Sequence, residues 1–289
     1  MSLPTGDTGA ATGHEPEPHP WAAGFRWTPT TGPFRRLTAV QAEAFDRDGF
    51  LVFPDVFTAE EMARLDTALE PGNRLVLELL EQLPGRRLSV AGADTQVVTP
   101  NQVATNEELR RFCHHPALVD LCHDLIGPDV RLYWEQAVYK QPHSAAPVLW
   151  HQDNGYAWVE PQAYLTLWVA VTDATVLNGC ISAVPGAHLG GTLRHRHTDL
   201  GEECGADPDA SVDLPVSAGS VVAFSSLTPH ATGVNTTDEV RKAYIVQYVP
   251  DGAVVVEAAP DGGPGGRRTL DDEALHPLVL SDGEPVAAR

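Results

Sequence analysis

The chain has 289 residues and a formal net charge of −20, and these values limit the number of domains and the classes of binding partner. Its length fits one large domain or two small ones, and a hydrophobic content of 43% is enough for a substantial core. The negative charge argues against nucleic acids and anionic membranes as partners. It is compatible with a cationic substrate, although a charged, soluble surface is the simpler interpretation.

Targeting signals and cysteine motifs are missing from the sequence. No apolar run approaches the roughly 20 residues of a membrane span, and the N-terminus lacks the basic and then apolar pattern of a signal peptide. The four cysteines form no Cys-x-x-Cys pair, so neither a zinc site nor a disulfide framework is indicated. The absence of these cysteine motifs therefore favours a reducing, cytoplasmic location. We also expect a monomer or a homodimer.

The N-terminal part of the chain predicts an arm followed by helices. Residues 1–36 are rich in proline and carry no periodicity, so we expect a flexible N-terminal arm that can become ordered on contact. From Leu37 onward, helix caps and apolar periodicity begin. The predicted elements are a helix over Ala39–Asp48 capped by Thr38 and ended by Gly49, a strand over 50–54, a helix over 59–69 capped by Thr58 and stopped by Pro71 and Gly72, a helical stretch over 75–83, a hairpin within 89–99, and one or two helices within 106–126.

After Gly127 the pattern becomes that of β-strands. Residues 130–141 form the longest candidate, and strict alternation would place Leu132 on the same face as Trp134 and Gln136. The other predicted strands are 148–152, 164–172, 181–185, 212–216, 220–225, 242–249 and 253–257.

Helices followed by short strands with turns between them are typical of a jelly roll with a helical layer. We therefore predict a mostly β fold, a cupin-like double-stranded β-helix, as a single domain over residues 37–257. The tail over residues 258–289 has no assigned place. The sequence contains neither Gly-x-Gly-x-x-Gly nor a phosphate-binding loop.

His151 and Asp153 form the first candidate for a metal site. They stand two residues apart after a predicted strand, so their side chains lie on one face. A His-x-Asp or His-x-Glu pair is expected roughly 1.6 times by chance at this composition, and it also occurs at His197 and Asp199. That second pair lies in a polar stretch without β-alternation, so we interpret it as a loop.

A second histidine would complete a 2-His-1-carboxylate iron site. His230 follows a strongly β run, and Arg241 opens the next predicted strand eleven residues later. Two antiparallel strands joined by this turn could bring both side chains into one cavity. The planar guanidinium would then bind a carboxylate. The alternative for Arg241 is a salt bridge at a strand end, to Asp238 or Glu239.

Several motifs, in order and at matching spacings from about residue 37 to 250, resemble the phytanoyl-CoA dioxygenase family. They are Asp48-Gly49-Phe50, Tyr139-Lys140-Gln141-Pro142, Trp150-His151-Gln152-Asp153, Asn178-Gly179-Cys180, Val184-Pro185-Gly186-Ala187-His188, and Pro229-His230 with Arg241.

The resemblance implies an enzyme that uses Fe(II), 2-oxoglutarate and O2. His151, Asp153 and His230 match the family's iron ligands, and Arg241 matches the residue that pairs with the distal carboxylate of 2-oxoglutarate. The remaining co-substrate positions of the family match Thr232, Gln136 and Trp168. The family's default outcome is hydroxylation. Asp153 argues against a halogenase, since related halogenases lack this carboxylate, while desaturation, epoxidation and ring formation stay open.

Residues just after the metal pair are candidates for substrate contact. Asn154, Tyr156 and Trp158 could line the cavity mouth, and Gln102 could belong to a lid. Packing in a loop explains these residues equally well. We expect oxidation of an aliphatic carbon of a small molecule, in secondary metabolism. The alternatives are a non-catalytic β-helix protein that binds a metal or carboxylate, and a cupin metalloenzyme that does not use 2-oxoglutarate.

Overall fold

The computed structural model describes residues 15–260 and 262–288, which form helices around a β-rich core. The helices are α1 (Ala39–Asp48), α2 (Ala59–Glu81), α3 (Glu107–Cys113) and α4 (Pro116–Leu125). The strands are β1 (Phe50–Phe53), β2 (Arg87–Leu88), β3 (Ala91–Gly92), β4 (Gln96–Pro100), β5 (Val130–Lys140), β6 (Val148–His151), β7 (Trp158–Glu160), β8 (Leu165–Ala170), β9 (Ile181–Ala183), β10 (His195–Thr198), β11 (Gly201–Cys204), β12 (Val212–Leu214), β13 (Val221–Ser225), β14 (His230–Thr232), β15 (Arg241–Pro250), β16 (Val254–Ala258), β17 (Pro264–Thr269), β18 (Leu278–Ser281) and β19 (Glu284–Pro285).

Two antiparallel sheets face each other. The main sheet runs in the order β1-β13-β8-β15-β5-β4-β3-β2, and the minor sheet runs in the order β12-β9-β14-β6. Trp168, Phe224 and Ala243 of the main sheet pack against Ile181 and Ala183 of the minor sheet. The helices cover the opposite face of the main sheet. The predicted jelly roll with a helical layer is therefore confirmed.

The first two helices begin where their caps predict. Thr38 and Gln41 form a reciprocal capping box at α1, and Thr58 and Glu61 form another at α2. Gly49 ends α1 with a φ of 83°, a conformation that favours glycine.

The predicted end of α2 at Pro71 is wrong, because the helix continues to Glu81. A proline inside a helix costs about 3 kcal/mol. The extension, however, carries Leu80 into the same core that buries Leu69, and burial of a leucine side chain contributes about 1.5–3 kcal/mol. Gly72 also lets the Gln102 side chain lie close to the helix backbone, since a Cβ at residue 72 would lie 2.0 Å from Oε1 of Gln102.

The predicted alternation along β5 is wrong by one residue at its start. The ladder between β5 and β15 shifts between Gln247 and Tyr248, which leaves Tyr133 as the extra residue of a β-bulge. Leu132 consequently joins Ala137 in the core on the helix side. Beyond the bulge, Gln136 stays on the face that looks toward the minor sheet, in register with Ile245.

Both terminal segments pack on the β-core. Within residues 15–36, the His19 amide donates to the Thr192 carbonyl at 2.9 Å, and Trp21 packs edge-on against Trp158. The first fourteen residues of the predicted arm lie outside the described residues. In the C-terminal tail, β17 pairs with β16, and β18 pairs with β5. Within the described parts of the chain, no helix is long and apolar enough to span a membrane.

Candidate metal centre

Two histidines face each other on neighbouring strands of the minor sheet. His151 ends β6 and His230 opens β14, directly opposite it, with 4.2 Å between the ring centroids. Nδ1 of His151 lies 2.7 Å from the Leu149 carbonyl, and Nδ1 of His230 lies 3.0 Å from the Thr228 carbonyl. A carbonyl only accepts, so each Nδ1 carries the proton and each Nε2 keeps its lone pair.

Asp153 completes the cluster immediately after β6. Its Oδ1 lies 3.9 Å from Nε2 of His151 and 3.8 Å from Nε2 of His230. One ligand atom from each of the three residues lies within 4.8 Å of the others. Burial, and then the charge of His230, hold the pKa of His151 well below its usual value, which favours the neutral form that binds metals. Two imidazoles and one carboxyl group are the ligand set of a non-haem Fe(II) site.

Asp153 is held by a residue that the motifs did not indicate. Thr166 on β8 donates its hydroxyl proton to Oδ2 of Asp153, and Nε2 of Gln247 on β15 lies 3.4 Å from the Thr166 hydroxyl. Oδ1 is thereby left to face the histidines. Thr166 stands opposite Gln247 in the ladder between β8 and β15. Only that strand register, which the sequence does not supply, could have identified the pair.

Gln152, the residue between the two ligands, ties the metal strand to the rest of the molecule. Its side chain is fully buried, and its amide donates to the carbonyls of Gly191 and Leu227 at 3.1 and 2.5 Å. Its oxygen accepts from the Leu193 amide at 2.6 Å, and its backbone amide donates to Nε2 of His195 at 2.9 Å. These bonds fix β6 against the segment that leads into β10 and, through Leu227, against the segment that leads into β14.

The competing pair His197 and Asp199 lies away from this centre. In place of the predicted loop, His197 belongs to the hairpin of β10 and β11, and its Nδ1 lies 2.8 Å from Oε1 of Glu202 on the exposed side. His230 and Arg241 do open two successive strands, but the strands belong to different sheets: β14 to the minor sheet and β15 to the main sheet.

Arg241 nevertheless lies beside residues expected to bind the co-substrate. It is 1% exposed, its guanidinium carbon lies 5.3 Å above the Trp168 ring, and its Nε and Nη2 have no hydrogen-bond partner among the described residues. Burial lowers the pKa of Arg241 to about 10. Gln136 and Trp168 flank Ile245 across three strands. Thr232 accepts a hydrogen bond from the ammonium group of Lys140, and Lys140 stands directly opposite Arg241 in the ladder between β5 and β15.

Of the four predicted substrate residues, Tyr156 is the one that touches a metal ligand. Its ring stands edge-on to His151 at 5.2 Å, and the residue is 48% exposed. The side chains of the other three form hydrogen bonds or ring contacts within the chain. Asn154 bonds to Thr192 and Val159, Trp158 packs against His19 and Trp21, and Gln102 bonds to Thr99 beside α2.

The charge of Asp153 acts on two further tyrosines. Tyr133 and Tyr164 pack edge-on at 5.4 Å. Burial raises the pKa of Tyr133 to about 12, and Arg268 and Asp153 act on it in opposite directions. Burial, and then the Asp153 charge, raise the pKa of Tyr164 well above its usual value. No motif pointed to these residues, because Tyr133 reaches this position through the bulge in β5.

Comparison with known proteins gives consistent matches. A model of the phytanoyl-CoA dioxygenase family matches residues 45–243. The probable alpha-ketoglutarate-dependent hypophosphite dioxygenase of Stutzerimonas stutzeri is 26% identical over 232 residues, which cover 72% of this chain and 77% of that protein.

Solved structures with similar folds include two proteins whose descriptions name nogalamycin. The non-heme alpha ketoglutarate dependent carbocyclase SnoK is 30% identical, with a TM-score of 0.67, and the match covers 86% of this chain and 100% of SnoK. The epimerase SnoN, solved with Fe3+, alpha ketoglutarate and nogalamycin RO, is 25% identical, with a TM-score of 0.64, and the match covers 82% of this chain and 96% of SnoN. The family match spans the triad and Arg241.

Proposed function

Because this chain belongs to the phytanoyl-CoA dioxygenase family, it is an iron- and 2-oxoglutarate-dependent oxygenase, and we propose that it oxidises an aliphatic carbon of a small molecule of secondary metabolism. The observation that carries the proposal is the convergence of His151, Asp153 and His230 at the minor sheet, with Arg241 buried on the facing main sheet and its Nε and Nη2 without a hydrogen-bond partner among the described residues. The placement in secondary metabolism is supported by the likeness to SnoK, a carbocyclase from nogalamycin biosynthesis.

Each residue of the site has a distinct proposed role. Nε2 of His151, Nε2 of His230 and Oδ1 of Asp153 hold Fe(II), and Thr166 keeps the Asp153 carboxylate turned toward the histidines. Bound Fe(II) supplies O2 activation and oxidation of the substrate carbon, driven by decarboxylation of 2-oxoglutarate. Arg241 accepts the distal carboxylate of 2-oxoglutarate on its fork of N–H donors. Trp168 supports the guanidinium from below.

The residues near the metal centre favour a flat, apolar substrate. Tyr156 provides an aromatic ring edge-on to His151, while Tyr133 and Tyr164 pack edge-on against each other in a buried hydrophobic cluster. Aromatic side chains contribute large apolar contact areas and prefer stacked or edge-on partners. We propose that the Tyr156 ring, which is exposed beside His151, helps to position the substrate carbon. Hydroxylation is the default outcome, and ring formation is the variant that the likeness to SnoK supports.

Turnover of the co-substrate is the direct test of the proposed function. Protein loaded with Fe(II) and 2-oxoglutarate without air should release succinate and consume O2 when air is readmitted, even without substrate. The Asp153→Ala and Arg241→Ala variants should lose this turnover, and Lys242→Met, which removes a lysine paired with Asp66, should retain it. Absence of succinate release in the wild-type protein, at any 2-oxoglutarate concentration, would favour a non-catalytic binding protein.

A screen of flat polycyclic compounds against flexible aliphatic acids tests the substrate class. The proposal predicts products heavier by one oxygen, or lighter by two hydrogens, from the flat compounds. Products from the aliphatic acids alone would contradict the proposed aromatic contacts. A cytoplasmic location is also part of the proposal and agrees with four buried, unpaired cysteines. Sedimentation in solution would decide between a monomer and a homodimer.

A further inference from the structure

A second buried cation lies next to Arg241. Lys140 ends β5 directly opposite Arg241 on β15, and the two residues are 0% and 1% exposed. Neither forms an ion pair with any described residue. Like charges directly opposite each other in an antiparallel ladder repel, and a buried charge without a counter-ion is strongly unfavourable. The pair is therefore suited to an anion that enters from outside the chain.

All three N–H donors of the Lys140 ammonium group already have acceptors within the chain, so none is left for that anion. The ammonium group donates to the Thr232 hydroxyl at 2.9 Å, to the Thr232 carbonyl at 3.4 Å and to the Gly233 carbonyl. These acceptors match its three N–H donors. The geometry depends on Gly179, since a Cβ there would lie 2.5 Å from the Gly233 carbonyl oxygen and 3.3 Å from Cδ of Lys140.

The contact with Thr232 determines where the threonine hydroxyl proton can point. Because Oγ1 of Thr232 accepts from Lys140, its own proton must be directed away from the lysine. None of the described residues accepts this proton. The hydroxyl is thus a donor without an acceptor, in the same corner as the two unpaired nitrogens of Arg241.

We infer that Lys140 is a positioning residue that orients the Thr232 hydroxyl toward the distal carboxylate of 2-oxoglutarate beside Arg241. The inference rests on the proposed function, because it assumes that 2-oxoglutarate occupies this corner. The carboxylate then receives the guanidinium fork, one hydroxyl donor and the field of a second cation. Burial, and then the charge of Arg241, lower the pKa of Lys140 well below its usual value. A bound carboxylate opposes this shift and so favours the charged lysine.

A binding experiment on the metal-loaded protein tests the inference. Calorimetry of 2-oxoglutarate binding to the Mn(II) form, without air, compares Lys140→Met, Thr232→Val and the double variant, with Lys242→Met as the control. We expect each single change to weaken 2-oxoglutarate about tenfold or more, and the double variant to be little worse than either. Mn(II) affinity should be unchanged. The preference for 2-oxoglutarate over 2-oxobutyrate, which lacks the distal carboxylate, should fall in all three.

The proposed function and the inference about Lys140 are contradicted by different results. If Arg241→Ala leaves 2-oxoglutarate affinity unchanged, the proposed function is wrong about this corner. If Arg241→Ala weakens binding but Lys140→Met does not, the inference alone is overturned. Fully additive losses in the double variant also overturn it, since Lys140 would then act without Thr232. Should Lys140→Met fail to fold, Thr232→Val against Thr232→Ser decides, because the inference requires that only the valine weakens binding.

Discussion

At the scale of single residues, the two oxygens of Asp153 have different environments. Oδ1 faces both histidine Nε2 atoms, while Oδ2 accepts the Thr166 proton, and Gln247 supports Thr166 from the next strand. Residues that orient a metal ligand in this way typically affect metal affinity by about 10–100-fold.

Thr166→Val removes this hydroxyl and keeps the shape of the side chain. We expect Mn(II) affinity to fall by about 10–100-fold, because Asp153 loses the bond that turns Oδ1 toward the histidines. A titration followed by the electron paramagnetic resonance of free Mn(II) measures the change. Thr166→Ser keeps the hydroxyl and serves as the control. Equal affinity in the valine and serine variants would show that Thr166 does not position Asp153.

At the scale of elements, local signals predicted the starts of helices, and distant contacts decided the rest. The capping boxes at Thr38 and Thr58 are formed within four residues of sequence, so they could be identified directly. The continuation of α2 past Pro71 depends on burial of Leu80 in the core. The bulge at Tyr133 depends on the register with β15. Neither of these long-range contacts is visible in a linear pattern.

Beyond the bulge, Glu135 is buried on the helix side of β5, the face that it shares with Ala137. The residue is 1% exposed, and its Oε1 accepts from the Val103 amide at 3.0 Å. Burial raises the pKa of Glu135 above its usual value of 4.5. The folded state therefore holds this proton more tightly than the unfolded state. Its stabilising effect is complete below pH 4.5 and is lost as the pH rises through the raised pKa.

Glu135→Gln should remove this pH dependence while keeping an acceptor for Val103. We expect the free energy of unfolding of the wild-type protein to fall relative to the variant as the pH rises from about 4.5. The difference should reach about 1.4 kcal/mol for each unit by which the pKa is raised. Urea unfolding of both proteins at several pH values measures it. Parallel pH profiles would contradict the assignment of a raised pKa to Glu135.

At the scale of the whole molecule, the sequence predicted the fold class and the convergence of the metal-ligand candidates better than the substrate contacts. His151 and Asp153 are close in sequence and flank the end of one strand, and His230 could be matched through the family resemblance, which the comparison confirms. Trp158 could not be placed, because Trp21 of the N-terminal segment covers it. Tyr164 likewise depends on the closed arrangement of distant strands.

The most direct test of this account is a titration of the protein with Mn(II) and then 2-oxoglutarate, without air. We predict one Mn(II) per chain, no tight binding to the Asp153→Ala or His230→Ala variants, and tight 2-oxoglutarate binding only after the metal is bound. Equal Mn(II) affinity in the wild type and both variants, or 2-oxoglutarate binding that is independent of the metal, would contradict the assignment of His151, Asp153 and His230 as the iron site.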